Sequence, residues 1–128
     1  MPIRTLEQLH AARRLVLDWA TRLEFSSLER TKLVTAASEL GRNTLVHGRG
    51  GDMTISEVRN DSRPGLELRF EDHGPGITDI EQAMTDGFST ARSLGLGLGG
   101  ARRLVNEFDI ASEPAHGTRI TVRQWKRR

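Results

Sequence analysis

Two polar residues one helical turn apart, Glu39 and Asn43, stand out in the segment SELGRN. The surrounding apolar spacing predicts a helix, on which residues four apart are neighbours. A carboxylate at position 39 is suited to accept a proton from an attacking hydroxyl group. An amide oxygen at position 43 is suited to bind a hard cation such as Mg²⁺. An ordinary solvated helix edge has the same composition, so the pair indicates a site only together with other motifs.

A second candidate is Asp72 in the segment FEDHGPGI, where a predicted strand runs into a turn containing Gly74 and Gly76. Glycine lets the backbone approach a flat ligand closely or adopt a positive φ angle. The Asp72 carboxylate could accept a hydrogen bond from an exocyclic amine such as that of adenine. A surface turn with an aspartate is the competing interpretation.

A third candidate is the glycine-rich stretch Gly95–Gly100, which directly precedes a helical pattern. The first N–H groups of a helix are unpaired and favour an anion such as phosphate. The polar residues Ser89, Thr90 and Arg92 precede this stretch in a loop that could close over a ligand. The alternative is a flexible connector, but glycine this dense beside a helix is costly in entropy.

The sequence does not support two other kinds of nucleotide-binding motif. Gly95, Gly97 and Gly100 match G-x-G-x-x-G, but no buried strand precedes them and too little chain follows for a dinucleotide-binding sheet. The P-loop pattern GxxxxGK[ST] is absent from the sequence. A fourth candidate, Thr118, follows Gly117 at the start of the last predicted strand, where its hydroxyl could lie near the base of a nucleotide.

Two helices and a hairpin must position the first two candidates. The patterns Thr5–Gln8 and Ser26–Glu29 are capping boxes, and each precedes apolar residues at helical spacing. The segments DMTISEV and LELRFE alternate like strands on either side of the turn NDSRPG. The segment ahead of Thr5 looks short, so any edge strand there is predicted to be missing or reduced.

The second half of the chain is predicted to contain a short helix over 80–84, the glycine-rich loop, a longer helix and two strands, FDIAS and TRITVRQW. The longer helix is expected to carry one apolar face, formed by Ala101, Leu104, Val105 and Phe108. The sequence therefore predicts one α/β (α+β) domain over residues 1–128, a two-layer sandwich with helices on one face of a mixed, mostly antiparallel sheet.

Composition excludes several classes of protein. The chain has 128 residues and no cysteine, which rules out disulfides and thiolate metal sites. Its net charge is only +2, and its one dense basic cluster is at the C-terminus, so no nucleic-acid site is expected. No apolar run approaches the ~20 residues of a membrane span, and no signal peptide is apparent. We expect a soluble cytoplasmic protein.

The order of the four candidates resembles the GHKL ATPase family, which has the Bergerat ATP-binding fold. Glu…Asn on a helix, Asp-x-Gly-x-Gly, a glycine-rich helix start and Gly-Thr are similar to its N, G1, G2 and G3 boxes. The segments SELGRN, EDHGPGI and DGFSTARSLGLGLGGARRLVNEF, with a tryptophan near the C-terminus, narrow the resemblance. They are similar to serine/threonine kinases of bacterial partner-switching modules, which include RsbT-type stressosome kinases and anti-sigma-factor kinases.

The resemblance implies a role for each candidate. Asn43 would coordinate Mg²⁺ at the ATP phosphates, Glu39 would orient or deprotonate the acceptor hydroxyl, and Asp72 would accept from the adenine amino group. Arg92 or Arg42 would neutralise charge on the transferring phosphoryl group. The remaining residues implied to contact the nucleotide are Gly74, Gly76, Ile77, Ser89, Thr90, Gly95, Leu96, Gly97, Leu98, Gly99 and Thr118.

Two functions follow from the resemblance. One is a kinase that phosphorylates a STAS-domain antagonist protein and also activates a metal-dependent serine/threonine phosphatase. The other is a non-catalytic binding switch, in which nucleotide sets the shape of a protein that binds a sigma factor or the phosphatase. The substrate, the upstream signal and the oligomeric state are left open by the sequence.

Overall fold

The computed structural model describes residues 1–77, 84 and 97–127, and all structural statements below refer to these residues. The short helix predicted over 80–84 lies outside them, apart from the buried turn residue Met84. The elements run in chain order as β1 (Pro2–Ile3), α1 (Leu6–Arg22), α2 (Ser27–Val46), β2 (Gly51–Asn60), β3 (Arg63–Asp72), α3 (Gly97–Leu104), β4 (Glu107–Glu113) and β5 (Gly117–Trp125).

Helices α1 and α2 begin at the two capping sequences. At α2, the Ser26 side chain accepts from the Glu29 N–H and the Glu29 side chain accepts from the Ser26 N–H, which completes the predicted box. At α1, Thr5 accepts from the Gln8 N–H, but the Gln8 side chain accepts from the N–H of Arg4 instead of Thr5. Both helices therefore start where hydroxyl and carboxyl or amide groups satisfy N–H groups that lack a partner within the helix.

The strands form one five-stranded sheet in the order β1-β2-β3-β5-β4, and each of its four pairings is antiparallel. Side chains alternate across it, as the period of a strand requires. In β3, Leu66, Leu68 and Phe70 are almost fully buried under the helices, whereas Glu67 and Arg69 lie on the opposite, more exposed face. The predicted fold, with helices on one face of a mostly antiparallel sheet, is confirmed.

The first strand is reduced, as expected, to two residues paired with the start of β2. The prediction for the last helix is wrong at its end, because α3 stops at Leu104. Phe108 lies in β4 opposite Val122, and Ile110 lies opposite Ile120. A phenylalanine and an isoleucine two positions apart share one face of a strand, and pairing with β5 places them against the core.

A buried carboxylate connects the N-terminus of α2 to the last described residues of the chain. Glu29 is 4% exposed. Its Oε1 accepts from the N–H of Ser26 and its Oε2 accepts from the N–H of Arg127, both at 2.8 Å. Burial opposes ionisation of Glu29, but these hydrogen bonds outweigh it and its pKa lies below the ordinary value of 4.5.

Replacing Glu29 by glutamine should destabilise the protein by about 1–2 kcal/mol at neutral pH, because an amide group turns a donor toward one of the two N–H groups. The lowered pKa means that the ionised form of Glu29 contributes stability above its unfolded pKa. That contribution is lost as the pH falls through the folded pKa. Urea unfolding of both proteins from pH 7 to pH 3 measures this. A stability difference that stays constant below pH 4.5 would contradict the assignment.

Candidate functional site

Asp72, the last residue of β3, is enclosed by two glycines. Its side chain is buried, with 6% of the residue exposed, and its Oδ1 accepts the N–H of Gly74 at 3.0 Å. Gly48 lies directly against it, since a Cβ atom added at Gly48 would stand 2.3 Å from the Asp72 Cγ. A carboxylate can accept further hydrogen bonds at its other oxygen. Asp72 is thus a buried acceptor packed so closely against the Gly48 backbone that no side chain fits between them.

Gly48 also connects Asp72 to the helix that carries the other candidates. The N–H groups of His47 and Gly48 both donate to the backbone carbonyl of Asn43, at 2.9 and 3.0 Å. A Cβ added at Gly74 would stand 2.7 Å from the carbonyl oxygen of Gly48. The end of α2 and the turn after β3 therefore pack backbone against backbone, which brings Asn43 and Asp72 to the same region of the molecule.

A row of polar side chains continues from Asp72 across the sheet. Thr118 in β5 is the register partner of Asp72, and Ser112 in β4 is the register partner of Thr118. Register partners in antiparallel strands share one face. The hydroxyl oxygens of Ser112 and Thr118 are 2.8 Å apart. The structure thus places the predicted Thr118 beside Asp72 and adds Ser112 as a third member.

The turn after β3 packs on the turn between β4 and β5. Gly76 has a φ angle of +77°, and a Cβ at this position would stand 2.1 Å from the carbonyl oxygen of Glu113. The N–H of Ala115 donates to the carbonyl of Pro75 at 2.7 Å, and the N–H of Ile77 donates to Ser112 Oγ at 2.7 Å. Glycine is required at position 76 for both its conformation and its contact. This packing holds the loop that contains the predicted residues Gly74, Gly76 and Ile77.

Glu39 on α2 is 5% exposed, so it is a buried carboxyl group and not part of a solvated helix edge. Burial raises its pKa above the ordinary value, while the charge of Arg42 and a hydrogen bond from the backbone N–H of Gly97 act in the opposite direction. A carboxyl group with a raised pKa holds a proton more strongly than an ordinary glutamate. Glu39 is therefore suited to accept and hold a proton during a reaction.

Asn43 lies one turn beyond Glu39 on α2 and is half-buried. Within the described part of the chain, no three His, Cys, Asp or Glu residues are grouped in a way that could hold a metal ion. The side-chain oxygen of Asn43 stays a predicted cation ligand, and the helix places it one turn from Glu39.

The third candidate element, α3, begins at Gly97, whose φ angle of +60° is one that glycine adopts readily. Leu98 and Gly99 follow in the first turn and are buried. The hydrogen bond from Gly97 to Glu39 places the start of α3 against the middle of α2. The remaining predicted residues lie outside the described residues: Ser89, Thr90, Arg92, Gly95 and Leu96.

Two residues of the site, Gly48 and Ser112, were not predicted. The sequence predicts Gly48 as the end of a helix. Three glycines within four positions, Gly48, Gly50 and Gly51, are also typical of a close approach of backbone. Ser112 precedes Thr118 by one hairpin turn, and the inward register of the two strands places both on the core face. The alternating apolar residues of FDIAS and of ITV predict which face each strand turns to the core, and both serine and threonine fall on that face.

The chain is similar to known ATPase domains in sequence and in fold. The model of the histidine kinase-like ATPase domain matches residues 4–124, and the chain belongs to this family. The catalytic domain of histidine kinase ThkA has a similar structure, with a TM-score of 0.56 at 15% identity over 98% of this chain and 95% of that one. This likeness concerns the fold alone and agrees with the two-layer architecture described above.

Two relatives that are similar to this chain in sequence indicate its enzyme class. Serine/threonine-protein kinase RsbT of Bacillus subtilis (strain 168) is 41% identical over 117 residues, covering 91% of this chain and 88% of the relative. The anti-sigma F factor of Geobacillus stearothermophilus is 30% identical over 120 residues, covering 88% and 81%. The resemblance of the motifs to GHKL ATPases and their RsbT-like kinases is confirmed. The predicted enzyme class, protein serine/threonine kinase, is confirmed as well. None of the described helices is long and apolar enough to cross a membrane.

Proposed function

We propose that this protein transfers the γ-phosphoryl group of ATP to a serine or threonine of a STAS-domain antagonist in a bacterial partner-switching pathway. We further propose that it activates a downstream serine/threonine phosphatase. The observation that carries the kinase proposal is the convergence of three elements. A buried acceptor (Asp72) packs at the end of α2, while a buried carboxyl group with a raised pKa (Glu39) and the start of α3 meet at the middle of the same helix.

The residues present fit a magnesium nucleotide. Asp72 and Thr118 offer acceptors for an amino-substituted base. Gly48 and Gly74 have no side chain, so their backbone packs directly against the Asp72 region. The N–H groups at the start of α3 would hold phosphate oxygens, as helix N-termini do in general. The Asn43 amide oxygen would hold Mg²⁺, a cation that prefers oxygen ligands. Bound ATP with Mg²⁺ supplies the phosphoryl group and reduces its negative charge.

The protein's own contribution to the reaction is proton transfer and charge. Glu39 accepts the proton of the acceptor hydroxyl at its carboxylate. Its burial excludes water from that carboxylate, which strengthens its interactions. The charge of Arg42, three positions along α2, opposes the effect of burial and favours the ionised form of Glu39, which is the form that acts as a base. We propose that Arg42 or Arg92 also offsets negative charge on the transferring phosphoryl group, where such a reaction requires it.

The kinase proposal is tested by incubating the protein with radiolabelled ATP and its cognate STAS-domain protein. Label should appear on serine or threonine of the STAS-domain protein and should be absent when that residue is replaced by alanine. An Asn43→Ala variant should lower the rate by about 100-fold or more, since it removes a group that holds charge in the transition state. Nucleotide binding without any transfer to the STAS-domain protein would contradict the kinase proposal.

The similarity to anti-sigma F factors favours a second candidate, a binding switch in which nucleotide sets the shape of a protein that acts stoichiometrically. In that function the chain binds a sigma factor or the phosphatase without needing turnover. Asn43→Ala separates the two candidates. Partner regulation that persists after nucleotide binding is lost supports the switch. Regulation that is lost together with phosphorylation supports the kinase.

A further inference from the structure

We propose that Ser112 is a positioning residue of the nucleotide site. It sets the direction of the Thr118 hydroxyl, so that Thr118 turns lone pairs and no proton toward the ligand beside Asp72. The site then selects a purine with an amino group over one with a carbonyl group at the same ring position. This inference rests on the proposed function, because it concerns the same nucleotide site.

The geometry begins with three contacts of one oxygen atom. Ser112 Oγ lies 2.7 Å from the N of Ile77, 3.1 Å from the carbonyl oxygen of Gly117 and 2.8 Å from Thr118 Oγ1. A serine hydroxyl has one proton to donate and two lone pairs to accept with. Ser112 therefore uses its whole hydrogen-bonding capacity within the site.

The chemistry of the three partners decides where the protons lie. The Ile77 N–H can only donate, so it occupies one lone pair of Ser112. The Gly117 carbonyl can only accept, so it takes the single proton of Ser112. The third contact is a hydrogen bond only if Thr118 donates to the remaining lone pair. All three bonds are satisfied together in this arrangement alone.

The consequence for the ligand follows from the register of the sheet. Thr118 is the register partner of Asp72, so the two side chains lie side by side on the buried face. With its proton given to Ser112, Thr118 has only acceptor capacity left, and the Asp72 carboxyl group offers a further acceptor oxygen beside it. An exocyclic amino group supplies the protons that two acceptors need. A carbonyl oxygen supplies none, and the ring N–H that accompanies it supplies only one proton, so a buried acceptor is left unpaired, which is costly.

The experiment compares the dissociation constants of ADP, which carries an amino group at this ring position, and IDP, which carries a carbonyl oxygen. Calorimetry should find that the wild-type protein prefers ADP. In Ser112→Ala, the Thr118 hydroxyl is free to turn its proton toward the ligand, so the preference should fall by about tenfold. Ser112→Thr keeps a hydroxyl at this position and should restore the preference. Ser56→Ala, on β2 and far from the site, is the matched control and should leave the preference unchanged.

A residue that acts through Thr118 also predicts non-additivity. Thr118→Val should lower the preference by itself, and adding Ser112→Ala to it should lower the preference no further. Loss of the Ser112 acceptor should also speed hydrogen exchange of the Ile77 amide in the nucleotide-free protein. If Ser112→Ala does not fold, Thr118→Val alone decides the point. An unchanged preference in that variant overturns the inference.

The outcomes separate this inference from the proposed function. Equal weakening of ADP and IDP by Ser112→Ala would show a purely structural role and overturn the inference. Equal binding of ADP and IDP by the wild-type protein would also overturn it, while leaving nucleotide binding intact. Failure of the folded wild-type protein to bind either nucleotide would count against the proposed function instead.

Discussion

Replacing Gly48 by alanine is expected to lower the affinity for ADP and ATP by about 100-fold while leaving the protein folded. The added Cβ would stand 2.3 Å from Cγ and 2.4 Å from Oδ2 of Asp72, so the carboxylate must leave its position. The φ angle of Gly48 lies outside the positive range, so the backbone itself accepts alanine. Calorimetric titration with ADP, with and without Mg²⁺, measures the effect.

Gly65→Ala is the matched control for this prediction. A Cβ at Gly65 would stand 2.5 Å from the Trp125 ring, so this variant also overpacks, by a similar amount. Gly65 lies seven positions before Asp72 on β3, about 23 Å away along the strand. Both variants should lose about 1–3 kcal/mol of stability, but only Gly48→Ala should lose nucleotide affinity. Nucleotide affinity within threefold of wild type in Gly48→Ala would refute the placement of the nucleotide at Asp72.

Glu39→Gln should lower the rate constant of phosphoryl transfer by about 100- to 10,000-fold and leave the nucleotide dissociation constant nearly unchanged. Glutamine keeps a side-chain carbonyl that can accept the Gly97 N–H, so the contact between α2 and α3 is preserved. It cannot accept a proton from the acceptor hydroxyl. Single-turnover transfer from radiolabelled ATP, together with calorimetry, separates the chemical step from binding.

The pH profile gives a second check on Glu39. Because burial raises its pKa and the base must be ionised, wild-type activity should fall as the pH decreases through a value above that of an ordinary glutamate. The residual activity of Glu39→Gln should lack this acidic limb. Glu7→Gln, in the exposed first turn of α1, should keep both rate and profile. An acidic limb that persists in Glu39→Gln would assign the base to another group.

Local patterns predicted most of the architecture because they depend on near neighbours in the chain. The Ser26–Glu29 box marked the start of α2 because a hydroxyl and a carboxylate three positions apart satisfy each other's N–H groups. The alternation in LELRFE predicted β3, because successive side chains of a strand point to opposite faces of the sheet. Phe108 was predicted both on the helical face and in the strand FDIAS, because a short apolar pattern after Leu104 fits both spacings. Pairing with β5 confirms the strand and excludes the helix.

The parts of the site that escaped prediction depend on contacts between distant segments. Gly48 matters because the end of α2 packs against the end of β3, and no spacing within HGRGG reveals which side chain it will meet. Burial of Glu39 is equally hidden, since a glutamate beside an apolar stripe is solvated until α3 covers it. Asp72 and Thr118 were predicted as separate motifs, but their adjacency follows from the β3–β5 register.

The β3–β5 pairing also has a consequence for how the protein folds. The β2–β3 and β4–β5 pairings are hairpins between consecutive strands, whereas β3 and β5 are far apart in sequence. Pairings of high sequence separation carry the larger loop-closure cost and form late. Asp72 and Thr118 come from different hairpins, so these two acceptors become neighbours only after β3 and β5 have paired. Bound nucleotide is therefore expected to slow unfolding. It should not speed folding, because its binding site forms only after the slow pairing step.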